Sequence, residues 1–211
     1  MKPLLPKGLY LILGRESCGD RDLLSVAGEA IEAGVRMIQY REKGVSRRET
    51  YRVAKKLVEM TRSREAFLIV NDEVDLAMAV RADGVHLGDT DFPPEEARRI
   101  LGPDYLIGLS THSLEEALVA GERGANYIGF GPIFDSPSKQ GRSPVGLDAL
   151  RRVTGAVSVP VFAIGGIRPD DARSIMAAGA QGFAVIHGVL GSPDVPAAIR
   201  AYREKMDPLP L

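Results

Sequence analysis

Three long polar side chains, Gln39, Arg41 and Lys43, recur at every second position of Gln39-Tyr40-Arg41-Glu42-Lys43. Side chains alternate along a strand, so these three share one face and Tyr40 and Glu42 the other. A carboxamide, a guanidinium and an ammonium group at the end of a buried strand suit an anion. A solvated strand end with surface ion pairs is the competing reading. Two carboxylates, Asp72 and Asp91, close other apolar runs. On neighbouring strand ends they would suit Mg²⁺, which often binds through one or two carboxylates plus phosphate oxygens of a substrate. Either could instead cap the helix that follows it, and spacing alone leans that way for Asp91. Gly165-Gly166 permits close approach of backbone amides to a phosphate, or serves a tight turn. Lys139 lies in a Ser-, Pro- and Gly-rich stretch, 134–146, whose length fits either a lid or a plain surface loop.

Other chemistries have weaker support. His86, His112 and His187 form no pair at i,i+3 or i,i+4, which argues against zinc. His86 reads as a packed strand residue and His112 as a cap. Cys18 sits in an apparent loop with no sign of activation, and there is no G-x-S-x-G or Ser/His/Asp pattern. One cysteine excludes an internal disulfide and a cysteine metal cage.

The elements that must hold these residues follow from hydrophobic periodicity. Short apolar runs at 8–14, 36–42, 66–72, 84–89, 105–110, 127–133, 160–167 and 182–190 fit strands buried on both faces. Between them, 22–34, 46–65, 73–82, 93–101, 113–123, 147–153, 169–178 and 195–206 carry helical spacing. Ser46 with Glu49, and Ser113 with Glu116, are spaced as capping boxes. Gly34, Gly124 and Gly179 sit where a helix ends before a strand, which accounts for one share of the 23 glycines. Strict alternation of strand and helix implies a parallel sheet. Eight units without a linker predict a single α/β domain over 1–211, a closed (β/α)₈ TIM barrel. The fold typically needs about 250 residues and about 200 at its lower end, so 211 residues make a minimal example. An open doubly wound sheet is the alternative, but its G-x-G-x-x-G turn is missing after the first strand, where Gly14 is followed by Arg15-Glu16-Ser17. In a barrel the chemistry lies at the C-terminal ends of the strands, with a phosphate cup after strands seven and eight. Gln39, Arg41, Lys43, Asn71, Asp72, Asp91, Ser110, Lys139, Gly166, Ile186 and His187 all fall at such ends or in the loops beyond them.

Composition bounds the partners. Lys plus Arg number 27 against 28 Asp plus Glu, a net charge of −1, so the basic footprint of a nucleic-acid binder is absent. No run reaches the length of a membrane span, and the start lacks an A-x-A-like cleavage site. A cytoplasmic protein is expected, and assembly into a homo-oligomer is left open.

Six segments together carry a resemblance: QYREK at 39–43, NDEVDLA at 71–77, DGVHLGDTD at 83–91, STHSLEEA at 110–117, YIGFGPIFDSPSK at 127–139 and AIGGI at 163–167. On these the chain resembles the thiamine-phosphate synthase and thiazole tautomerase family, from Gly8 to about Met206. The resemblance implies a transferase that joins hydroxymethylpyrimidine diphosphate to thiazole phosphate and releases diphosphate, with Mg²⁺ as cofactor. It implies that Gln39, Tyr40, Arg41, Glu42, Lys43 and Asn71 hold the pyrimidine diphosphate, that Ser110 contacts the pyrimidine, and that Lys139 binds the diphosphate. Asp72 and Asp91 would be the metal ligands. Ser136 and Ser138 would meet the thiazole, with Gly166, Ile186 and His187 at its phosphate. Arg41, Lys43, Ser110 and Lys139 would bear on catalysis. The family reaction is dissociative and needs no protein nucleophile, which agrees with a sequence that offers none. His187 stands where the family usually has serine, Asp89 where it has glutamine, and Ser136 and Ser138 where it has threonines. A thiazole tautomerase, which tends to carry histidine at the position of Pro132, and a non-catalytic homologue are the alternatives.

Overall fold

The structure is a computed structural model that describes residues 4–135 and 143–206. Its eight strands are β1 (Gly8–Leu13), β2 (Met37–Tyr40), β3 (Phe67–Asn71), β4 (Gly84–Leu87), β5 (Leu106–Thr111), β6 (Tyr127–Phe130), β7 (Val161–Ile164) and β8 (Gly182–Val185). Every neighbouring pair is parallel, and β1 also pairs with β8, which closes the barrel. Helices α1 (Arg15–Cys18), α2 (Leu23–Glu32), α3 (Arg47–Arg62), α4 (Val74–Val80), α5 (Pro94–Leu101), α6 (Leu114–Ala120), α7 (Gly146–Ala156), α8 (Ala172–Ala177), α9 (His187–Leu190) and α10 (Val195–Met206) complete the order, with a short 3₁₀ turn, Pro169–Asp171, before α8. Among the described residues no helix is long and apolar enough to cross a membrane.

Period-two alternation sorts each strand into two layers. Leu9, Leu11 and Leu13 of β1 face the helices, as do Ile38 of β2, Leu68 and Val70 of β3, and Val85 and Leu87 of β4. The opposite parity, Tyr10, Ile12, Met37, Ile69, Leu106, Tyr127, Phe162 and Ala184, fills the barrel interior. Both faces are therefore apolar, which is why the strands read as continuous hydrophobic runs. Three rings fill the interior edge to face: Tyr10, Tyr127 and Phe162 lie with centroids 5.5–6.1 Å apart.

Such rings need space, and glycine supplies it. A Cβ on Gly108 would lie 2.2 Å from Cζ of Tyr127 and 2.5 Å from Nδ1 of His86. Inward strand positions thus account for a share of the glycines that the sequence reading assigned only to helix ends and phosphate contact. Gly108→Ala is expected to cost about 1–3 kcal/mol through overpacking, read as a lower urea midpoint at unchanged slope.

Helix starts follow local chemistry. Ser46 Oγ accepts the Glu49 amide at 3.3 Å, and Ser113 Oγ accepts the Glu116 amide at 3.2 Å. The reciprocal half of each expected capping box is not formed. The Glu49 carboxylate pairs with Arg15 and Arg52, and Glu116 accepts the His112 amide at 2.6 Å, one residue before the cap. Strong cations nearby outcompete a neutral amide for Glu49.

Two short helices depart from the expected pattern: Cys18, expected in a loop, closes α1, and the apolar run 182–190, expected as one strand, contains α9. The strand ends at Val185 and the chain turns into α9 after Ile186 (φ −121°, ψ −87°). A short continuous apolar run cannot separate strand from buried helix by periodicity.

Candidate active site

A cavity of about 220 Å³ opens at the C-terminal ends of the strands, bounded by Gln39, Arg41, Asn71, His86, Ser110 and Ile186 above the ring layer. A larger hollow, about 440 Å³, lies against Arg62, Phe67, Arg81 and Asp83 at the N-terminal side of β3 and β4, on the opposite end from the expected site.

The β2 end divides as alternation requires. Gln39 is 3% exposed and donates through Nε2 to the Tyr10 hydroxyl at 2.8 Å. Arg41 lines the cavity and Lys43 is exposed just beyond it. Tyr40 and Glu42 correct the expectation that the whole 39–43 segment faces substrate. Tyr40 is 2% exposed in the layer beneath the helices and its hydroxyl donates to Glu42 at 3.3 Å. Burial and the Glu42 charge push its phenol well above the usual range. The Glu42 side chain, 4% exposed, pairs with Arg15 at 3.6 Å. Of the five side chains, Gln39 and Arg41 line the cavity, and Tyr40 and Glu42 pack away from it. Gly14 holds this strand end close to β1: a Cβ there would fall 1.9 Å from the Arg41 carbonyl oxygen.

Asp72 and Asp91 come together. Asp72 has φ +62°, a left-handed backbone that an aspartate adopts more readily than most residues, and its amide donates to the His86 carbonyl at 2.9 Å. Neither aspartate caps a helix. The N-caps of α4 and α5 are Glu73 and Pro93, each without a side-chain bond, and Asp91 Oδ2 accepts the Gly88 amide at 2.7 Å. The capping alternative is thus excluded by position. Half-burial, then the adjoining Asp91 carboxylate, pushes Asp72 up to about 6, opposed by Arg41 and Asn71. Two close carboxylates facing a cationic arginine form an oxygen donor set suited to a hard divalent cation.

Beneath them the barrel is crossed by hydrogen bonds. Tyr10 and Tyr127 hydroxyls meet at 3.0 Å, Tyr127 meets His86 Nδ1 at 3.2 Å, and His86 Nε2 meets Ser110 Oγ at 3.1 Å. His86 is packed, as its strand position indicated. His112 is not the cap of α6, which is Ser113; its Nδ1 donates to the Gly131 carbonyl at 2.6 Å.

At the far side, Gly165 and Gly166 have φ of +102° and +64°. A Cβ on Gly166 would approach the Asp135 carbonyl oxygen at 2.2 Å, so only glycine lets this turn close. Ile186 lines the cavity and His187 opens α9, exposed. Gly188 lets the chain pack closely: a Cβ there would stand 2.0 Å from the Tyr202 hydroxyl. Ser136, Ser138 and Lys139 lie outside the described residues. Cys18 is buried in α1, and burial raises its thiol pKa.

The sequence reading missed Tyr10, Tyr127 and Gly14. Strand parity carried the signal for the tyrosines, since each shares a face with a mouth residue on its own or a neighbouring strand. It also missed a rim group, Asp89, His112 and Glu116, whose ligand atoms lie within 4.8 Å of one another. The search for histidine pairs passed over the His112–Glu116 spacing.

A family model described as thiamine monophosphate synthase matches residues 9–189. The thiamine-phosphate synthase of Moorella thermoacetica is 43% identical over 197 residues, covering 93% of this chain and 94% of its own. That of Shouchella clausii is 43% identical over 203 residues, covering 96% and 97%. The solved thiamine phosphate pyrophosphorylase from Pyrococcus furiosus superposes with a TM-score of 0.86 at 41% identity, over 94% of this chain and 95% of that one. Identity at this level over nearly the full length of both partners, on a shared barrel, shows that the chain belongs to the thiamine monophosphate synthase family and works as a thiamine-phosphate synthase in thiamine biosynthesis.

Proposed function

We propose that the chain acts as a single-domain cytoplasmic enzyme that condenses hydroxymethylpyrimidine diphosphate with thiazole phosphate and releases diphosphate, with Mg²⁺ held by Asp72 and Asp91. The observation that carries this reading is the aspartate pair beside Arg41, at the rim of a cavity bounded by Gln39 and Ser110. Two carboxylates held together without a helix-capping role fit a divalent cation, and the cavity beneath has the size of a small heteroaromatic ring rather than a polymer. When bound, Mg²⁺ supplies charge stabilisation to the diphosphate as it leaves.

The chain's own groups do the rest. Arg41 and Lys43, just past β2, serve the leaving group, and the sequence motif assigns Lys139 to the same role. Together with the metal these cations offset a diphosphate and two aspartates to near neutrality, as a partly buried site requires. Gln39, Asn71 and Ser110 orient the pyrimidine. Gly166, Ile186 and His187 hold the thiazole phosphate, and the sequence motif assigns Ser136 and Ser138 to the thiazole. Positioning the ring nitrogen of the thiazole against the pyrimidine methylene lets the departing C–O bond and the new C–N bond share one line. Cys18 takes no part, since it is buried in α1 within the layer between barrel and helices.

The test pairs both substrates with metal-stripped protein. Thiamine phosphate should form only when Mg²⁺ is restored, and chelator should abolish turnover. Turnover that is indifferent to chelator would sink the metal assignment. Isomerisation of a thiazole carboxylate phosphate in place of condensation would favour the tautomerase reading.

A further inference from the structure

The buried hydrogen bonds inside the barrel have a direction. Gln39 Nε2 can only donate, so the Tyr10 hydroxyl accepts from it at 2.8 Å. The Tyr10 proton then goes to its other partner in the chain, the Tyr127 oxygen 3.0 Å away. Tyr127, having accepted, donates to His86 Nδ1 at 3.2 Å. A ring nitrogen that accepts carries no proton, so the proton of His86 sits on Nε2 and is donated to Ser110 Oγ at 3.1 Å. Ser110 accepts from inside the barrel and keeps its own hydroxyl proton for the cavity. Burial raises the pKa of both phenols, so each keeps the proton that the chain transmits. Among the described residues no buried side-chain polar atom lacks a partner, so the chain is closed at every link.

We propose that Tyr10, Tyr127 and His86 form a one-way relay that fixes Ser110 as a hydrogen-bond donor toward the ligand, so that the cavity selects a heteroaromatic ring presenting a lone-pair nitrogen to Ser110. Gln39 anchors the other end and keeps its carbonyl oxygen as an acceptor, suited to an exocyclic amino group. Tyr127 does not line the cavity and is a positioning residue, acting through His86 and Ser110. The inference rests on the pyrimidine-diphosphate reading of the site and adds its polarity, which a chain running the opposite way would reverse.

The experiment measures ¹⁵N shifts of the imidazoles in the free, full-length protein, with His86 assigned by elimination in His112→Gln and His187→Ser variants. A pyridine-type Nδ1 and a pyrrole-type Nε2 at His86 are expected. The reverse pattern would overturn the relay's direction, whatever the enzyme's activity. The second reading uses the pyrimidine diphosphate and its two analogues in which one or other ring nitrogen is replaced by C–H. One analogue should bind the wild type about tenfold more weakly, the worth of one hydrogen bond. Tyr127→Phe should erase that difference and shift the His86 nitrogens together. A preserved difference in Tyr127→Phe would reduce Tyr127 to packing. If that variant does not fold, the wild-type tautomer alone decides. Failure of the synthase reading would show differently, as no condensation by wild-type protein whose His86 pattern is intact.

Discussion

Replacing both Asp72 and Asp91 by asparagine should lower turnover about 10³-fold and remove its response to Mg²⁺, at an unchanged or higher melting temperature. A bound metal ion contributes several kcal/mol of charge stabilisation in a transition state, and each 1.36 kcal/mol is a factor of ten. The two side chains lie together half-buried, and desolvation, then their mutual repulsion, pushes Asp72 up to about 6. Asparagine keeps the volume and an acceptor oxygen for the Gly88 amide, which Asp91 now binds at 2.7 Å. The fold therefore loses a repulsion and no backbone hydrogen bond. Initial rates across a Mg²⁺ titration, beside a thermal melt, separate the two effects. A variant that still responds to Mg²⁺ would remove both residues from the metal site.

Arg41→Ala should lower kcat by about 10²–10³, as the loss of one preorganised charge contact at a leaving group does. Arg41 lines the cavity and lies close enough to Asp72 to oppose the rise in its pKa, so it stands between the acidic pair and the ring pocket. Arg41→Lys should recover only part of the loss, because an ammonium cannot reproduce a planar guanidinium that donates two parallel hydrogen bonds to phosphate oxygens. Single-turnover rates at saturating substrate make the measurement, since they report chemistry rather than binding. A drop confined to KM would make Arg41 a binding group with no share in the bond-breaking step. The close approach of Gly14 to the Arg41 carbonyl gives a companion prediction: Gly14→Ala, which leaves every polar group in place, should also lower kcat by displacing the β2 end.

Much of the barrel was legible because its physics is local. Eight apolar runs separated by helical spacing force a parallel sheet, and parity within Gln39-Tyr40-Arg41-Glu42-Lys43 correctly separated Gln39 and Arg41, which line the cavity, from Tyr40 and Glu42, which do not. The motif resemblance then obscured that parity by treating the segment as one unit, and Tyr40 and Glu42 are where it misled. Capping pairs were half legible. Ser46 and Ser113 cap as their spacing demands, but Glu49 is drawn off by Arg52 within its own helix and by Arg15, 34 residues away, and no local pattern contains the second. The α9 boundary failed for a related reason, since Gly182 to Leu190 is apolar but for His187 and only the barrel's closure fixes where the strand must stop.

The sequence by itself determined the order of elements, the parity of each strand and the residue types offered at each strand end. Those properties depend on neighbours within a few positions, and hydrophobic period and turn chemistry report them directly. Only the tertiary structure decided which of those residues meet. Asp72 and Asp91 stood open to helix capping until the barrel set β3 beside β4 and brought the two carboxylates together, neither at an N-cap. Tyr10 and Tyr127 are 117 residues apart and exchange a hydrogen bond because closure brings β1 and β6 to opposite walls of one narrow interior. The direction of that hydrogen-bond chain, and with it the polarity that Ser110 shows a ligand, depends on distances of about 3 Å between groups on five different strands.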